Sequence, residues 1–141
     1  MSGRAGFLQP LLSSPHGKSL VVARTGQAIA STVTTAFDSA SRRQGLLGRS
    51  ALADGEALII APSGAVHTFG MRFAIDLLFV SRDGSVVKVH ERVQPRRLSL
   101  CWRAFGVVEL AAGRVGATGV RVGDRVKVRD ETAQGTVMTI W

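Results

Sequence analysis

The stretch that most constrains this chain runs from Ala65 to Val80, AVHTFGMRFAIDLLFV. It is the densest apolar run in the sequence, and it carries His67, Arg72 and Asp76 inside it. An unpaired charge buried among such neighbours costs on the order of several kcal/mol. These groups must therefore satisfy one another or nearby partners, or line a cleft that meets water. Either way the fold is organised around this segment. Within IDLLFV a period of two puts Ile75, Leu77 and Phe79 on one strand face and Asp76, Leu78 and Val80 on the other.

The flanking sequence reads as short strands separated by turns. At 141 residues the chain is a single domain by length, able to bury about 70% of its unfolded surface. Its 16 glycines favour many turns over long helices. Leu20 to Ala23, Ala30 to Phe37, Ala57 to Ala61, Ile75 to Val80, Ser85 to Val93, Phe105 to Leu110 and Val120 to Val128 read as strands. Gly135 to Trp141 adds a possible edge strand. Arg82-Asp83-Gly84 reads as a hairpin turn, and the hairpin it closes is expected in the middle of the sheet. Asp38 offers an N-cap to a short helix over Ser39 to Gln44 that stops at Gly45. AAGRVGATG at 111–119 reads as a helical turn, and Gln94 to Cys101 as loop. The expected fold is mainly β, a β-sandwich or partly closed barrel of about seven to eight strands with one or two short helical segments. Residues 1–17 are expected to be a flexible arm before a single β-domain over 18–141.

Charge looks informative at first, at +8, but 15 of the 18 basic residues are arginine. That skew is what a GC-rich coding sequence would give without any selection for a polyanion. The basic residues are scattered except between Lys88 and Arg103, so nucleic acid is not the expected partner. The apolar runs are too short to span a membrane, and the first residues lack a secretory pattern. A cytoplasmic protein is expected. One cysteine, Cys101, excludes an intrachain disulfide and a Cys-only zinc site. No metal-ligand spacing and no phosphate-cradling glycine loop appears, so neither metal nor other cofactor is expected.

Several residues could carry chemistry, each beside a plainer reading. Asp76 is a structural carboxylate accepting backbone or arginine hydrogen bonds, or a cleft acid paired with Arg43, Arg49 or Arg72. His67 is a satisfied strand histidine, a base or a ligand. Glu109 caps the helical turn that follows it, or faces Arg43 across the domain. Met71 and Cys101 read as packing residues. Ser63, near His67 and Asp76, lacks a nucleophile elbow and reads as part of a turn.

Three segments carry a family resemblance: RRQGLLGRSAL at 42–52, HTFGMRFAIDLLFVSRDGSVV at 67–87 and VVELAAGRVGATGVRVGDRV at 107–126. In this order they resemble DUF192, a bacterial and archaeal family of domains of unknown function, over about residues 20–128. The resemblance implies a mainly β fold with small helices and no established activity. The loop QPRRL at 94–98 lacks the aromatic that many relatives carry after the proline. Relatives often bear a signal peptide or lipid anchor, which is not recognisable here.

The leading expectation is a non-enzymatic module that binds a small molecule or a partner. Its cleft would lie beside the central strand, edged by Arg43, His67, Arg72, Asp76 and Glu109. A second reading is a hydrolase or carbohydrate-active enzyme using Asp76 and Glu109 as acid and base. A third is RNA or an acidic partner on Lys88, Arg92, Arg96, Arg97 and Arg103, with Trp102 on the same face.

Overall fold

The computed structural model describes residues 6–12 and 16–131, and the backbone of 138–139. In chain order the elements are a 3-10 turn at Gln9–Leu11, then β1 (Lys18–Val22), β2 (Ala28–Ala30) and β3 (Thr32–Ala36). Helix α1 (Ser39–Gln44), β4 (Glu56–Ile60), β5 (Ala65–His67), β6 (Ile75–Val80) and β7 (Val86–Val93) follow. The chain continues through β8 (Leu98–Leu100), β9 (Gly106–Ala111), α2 (Arg114–Thr118), β10 (Val126–Asp130) and β11 (Met138–Thr139).

The strands form a five-stranded sheet in the order β3-β4-β9-β6-β7, a four-stranded sheet β11-β10-β1-β2 and a two-stranded ribbon β5-β8. The fold is mainly β with two short helices, as expected, but the sheets do not close into a barrel. The five-stranded sheet is the middle layer. Leu78, Val80, Val108, Leu110, Ala57 and Ile59 pack from one of its faces against Leu20, Val22, Ile29, Val126 and Val128 of the four-stranded sheet. Alternate residues of the same strands, Ile75, Leu77, Phe79, Leu58, Ile60 and Val107, pack from the other face against Leu46, Leu52, Val66, Met71 and Cys101. A sheet covered on both faces needs strands apolar at nearly every position. That is why β6 and β9 are buried from end to end.

Local signals placed α1 correctly. The Asp38 carboxylate accepts from Ser41 N at 2.7 Å, satisfying one of the donors a helix start leaves free. Gly45 ends the helix at φ 48°. Gly84 closes the β6–β7 hairpin at φ 91°, and a Cβ there would lie 2.6 Å from Val126 O, so only glycine fits.

Long-range pairing corrected other expectations. The hairpin is not the middle of the sheet: β9 is central and β7 lies at an edge. The expected strand over Ala30 to Phe37 divides at Ser31, where the amides of Ser31 and Thr32 both donate to Gly55 O. The chain there crosses from one sheet to the other, which helps the strands outnumber the seven or eight expected. Gln94 to Cys101 is not all loop, since it contains β8, paired to β5 through Val66↔Ser99. Val120 to Val128 is strand only from Val126, because the chain turns at Gly123 with φ 96°. Within the stretch expected as a loose arm, Phe7, Leu8 and Leu11 are buried in the core. Most of Gly135 to Trp141 lies outside the described residues, apart from β11. Among the described residues no helix is long and apolar enough to cross a membrane.

Candidate functional site

The face of the five-stranded sheet turned away from the four-stranded sheet carries one anomaly. Along β9, Val107 packs on this face and Val108 and Leu110 on the other, so alternation turns Glu109 toward the apolar layer. Its cross-strand neighbours are Leu58 on β4 and Leu77 on β6. Glu109 is 3% exposed. Its Oε1 atom is buried and has no hydrogen-bond partner among the described residues. Burial pushes the carboxyl up to about 7, since removal from water disfavours the charged form.

Glu109 lines a pocket of about 120 Å³. Ile60 lies beside it. Leu46 and Leu47, which follow α1, and Val66 and Met71 make the walls. Arg42, Arg43, Ser63, Ala65 and His67 also line it. Outside lies an open basin of about 440 Å³ bordered by Ser39, Arg42, Arg43 and His67. The elements that position these side chains are local in origin. The Asp38 cap and Gly45 stop fix a helix of six residues whose last turn holds Arg42 and Arg43. Arg42 Nη1 donates to Phe37 O at 2.6 Å. Among the described residues no side-chain hydrogen bond or ion pair engages Arg43, which is exposed. Arg49 is tied to Glu56 on β4 at 2.8 Å and holds the segment after α1 against the sheet.

His67 reaches the pocket from the β5–β8 ribbon. Ala65↔Leu100 and His67↔Leu98 face outward on that ribbon, and Val66↔Ser99 face inward. The ribbon is fastened by buried Thr68, whose Oγ1 donates to Gln94 O at 2.7 Å and accepts from Arg97 N at 2.8 Å. His90 Nδ1 meets Ser99 Oγ at 2.7 Å and links β7 to β8. His67 itself is exposed, with its ring 5.9 Å from that of Phe69.

The structure thus brings Arg43, His67 and Glu109 to one pocket, and leaves out Arg72 and Asp76. Arg72 is exposed and does not line it. Asp76 is fully buried, but its register partner on β9 is Leu110, on the opposite face of the sheet from Glu109. There its carboxylate accepts from Arg92 N at 2.8 Å, Gly113 N at 3.1 Å and Val115 N at 2.9 Å. Arg92 is the bulged residue of β7, at φ 52°. Gly113 is the N-cap of α2 and has no side chain to cap it. The helix-capping role considered for Glu109 therefore belongs to Asp76, and none of Arg43, Arg49 or Arg72 pairs with it. The two carboxylates do not share a cleft, which removes the geometry an Asp76–Glu109 acid–base pair requires. The pocket is also beside β4 and β9 rather than beside β6.

Arg42 was not foreseen in the site. Its signal was adjacency to Arg43 on a helix too short to have an inner face. In the basic segment, Lys88 is committed to Leu100 O at 2.6 Å and Arg92 lies beside Gly113. Arg96, Arg97 and Arg103 are exposed, and Trp102 is 91% exposed. Among the described residues no group of three His, Cys, Asp or Glu side chains stands close enough to hold a metal ion.

No curated protein matches the sequence. Two solved structures are similar. One, from Sinorhizobium meliloti, is described as a "putative transcription regulator"; it is 27% identical, with a TM-score of 0.69 over 79% of this chain and 91% of that one. The other, a protein of unknown function from Novosphingobium aromaticivorans, is 20% identical, with a TM-score of 0.68 over 78% of this chain and 82% of that one. It shares the fold. The family model of DUF192, described as "Uncharacterized ACR", matches residues 20–128. The matched span includes all three sequence segments together with α1, β5, β6 and β9, which build the pocket and its surroundings, and the chain belongs to the DUF192 family.

Proposed function

We propose that this domain binds a small molecule in the pocket lined by Glu109, Arg43 and His67, and that binding rather than catalysis is its task. One observation carries the reading: a carboxylate oxygen, buried and without a hydrogen-bond partner, belongs to a side chain lining an accessible pocket. Buried polar groups are nearly always satisfied, because an unmet one costs about 1–3 kcal/mol. Replacing Glu109 with leucine would continue the apolar pattern of the strand. A carboxylate retained there makes sense where a ligand or water completes its hydrogen bonding. The surroundings suit a ligand, with apolar walls and a few convergent polar groups.

Protein-observed NMR with a fragment library of neutral, cationic and anionic compounds tests this. Compounds that bind should shift the amides of Glu109, Leu47 and His67 together. A library whose hits all fall elsewhere, or that yields none, would remove the pocket as the functional site.

A further inference from the structure

Resting on the pocket reading, we infer that the ligand is a short organic anion: a carboxylate or phosphate held by Arg42, Arg43 and His67, an apolar body, and an inner end that donates a hydrogen bond to Glu109. The charges of the lining are sorted in a way that dictates this order. Its basic groups are Arg42, Arg43 and His67, and its acid is Glu109 alone. The first three also border the outer basin, whereas Glu109 does not. The apolar part of the same lining includes Leu46, Leu47, Val66 and Met71. Arg43 is uncommitted, and Arg42 is steadied by Phe37 O, so a guanidinium pair is available to an anion without breaking an ion pair.

Alternatives fail at one end or the other. A simple cation would pass two guanidiniums to reach Glu109. A neutral apolar molecule would leave Glu109 Oε1 as unmet as it is in the free protein. A dianion would set carboxylate against carboxylate. A hydroxy acid or amino acid meets both ends. The volume sets the size: a cavity of about 150 Å³ holds a benzene ring, so about 120 Å³ admits a body of roughly four to six heavy atoms.

The pocket also predicts a proton. Glu109 sits near 7 because burial disfavours its charge. Accepting a hydrogen bond favours the ionised form, so binding releases protons near neutrality and tightens as pH rises through 7. The cross-strand neighbours of Glu109 are Leu58 of β4 and Leu77 of β6, which do not titrate, and the other charged groups of the lining are Arg42 and Arg43 of α1. His67 of β5 also lines the pocket, and repeating the measurement on His67→Gln keeps its contribution apart from that of Glu109.

The test is an NMR titration with ω-hydroxy acids of roughly four to six carbons, the matching unsubstituted acids and the matching primary alcohols. The hydroxy acid of best length should bind about tenfold more tightly than either comparison compound, the worth of one well-made hydrogen bond or charge contact. Arg43→Ala should weaken both acids and leave the alcohol unchanged. Glu109→Leu should erase the advantage of the hydroxyl, with Glu109→Met, which also lacks an oxygen acceptor, as the second variant if the leucine protein does not fold. An alcohol that binds as tightly as the hydroxy acid overturns the inference, as does a hydroxyl advantage that survives Glu109→Leu. If none of these compounds occupies the pocket while a library cation or neutral does, the ligand class falls and the pocket stands. If nothing occupies it, both fall.

Discussion

Asp76 and Glu109 are two buried carboxylates on adjoining strands, separated by one step of register, since Leu77 is the cross-strand neighbour of Glu109. They differ in which face of the sheet they occupy and in what meets them there. Asp76 receives three backbone N–H groups, one from the bulge of β7 and two from the start of α2. It serves as a cap supplied from a distant strand, and it joins three elements at one point. Glu109 is flanked by leucines, and burial alone raises its affinity for a proton. Burial is common to both and so says nothing about role. What separates scaffold from site is whether the fold itself supplies the partners.

The largest expected effect is at Asp76. Asp76→Ala removes an acceptor shared by three donors, among them the buried Val115 N–H, and should lower unfolding free energy by about 3–5 kcal/mol. Against a total of about 5–15 kcal/mol, the variant would be close to its folding limit. Asp76→Asn keeps one accepting oxygen but turns an NH₂ group toward N–H donors, and should lose about 1–3 kcal/mol. Urea melts measure both. An alanine variant within about 1 kcal/mol of the parent would break the comparison, because Asp76 would then be no more structural than Glu109.

The next effect has the opposite sign and depends on pH. The folded-state value for Glu109, about 7, lies above its ordinary 4.5. Between these limits the unfolded chain has released the proton that the folded chain still holds. Stability from this group is therefore complete below about pH 4.5, falls as pH rises and levels off above 7. A raise of this size corresponds to about 3 kcal/mol. Glu109→Gln cannot ionise, so it should match the parent near pH 4.5 and exceed it by up to about 3 kcal/mol at pH 8. Melts across that range decide it. Parallel curves for the two proteins would mean that Glu109 has a partner after all, and the contrast with Asp76 would close.

How much of this was legible in the sequence follows from the range of each interaction. The Asp38 cap, the Gly45 stop and the turn at Gly84 are set by residues within a few positions of one another, and they are where the sequence places them. The motif segments also marked Arg43, His67 and Glu109, which the fold gathers. The β8 strand was hidden, because its three residues pair only with β5, some thirty positions earlier, and follow a proline and two arginines. Asp76 was harder still. Its donors lie 16, 37 and 39 residues away, and whether it shares a face with Glu109 depends on the register of β6 against β9. Period two assigns faces within a strand but cannot relate two strands until their pairing is known. Arg72 was grouped with the site by nearness in sequence to His67, and the turn between β5 and β6 takes it elsewhere.

The smallest expected effect separates the two neighbouring arginines of α1. Arg42 is half-buried and gives a hydrogen bond to Phe37 O, so Arg42→Ala removes an internal contact as well as a pocket charge. Arg43 is exposed, and its side chain has no hydrogen bond or ion pair among the described residues. A surface substitution without such ties changes stability by no more than about 0.5 kcal/mol. Arg43→Ala should therefore melt with the parent protein, and the amides of Glu109 and Leu47 should keep their free-state positions. Arg42→Ala should melt lower, by about 1 kcal/mol for the lost hydrogen bond. Side-by-side thermal melts at one pH are sufficient. A clear loss of stability in Arg43→Ala would show that Arg43 has a structural partner, and it would move to the side of Asp76 in the division between scaffold and site. Equal stability in both variants would instead mean that the bond to Phe37 O contributes nothing, leaving both guanidiniums to the pocket.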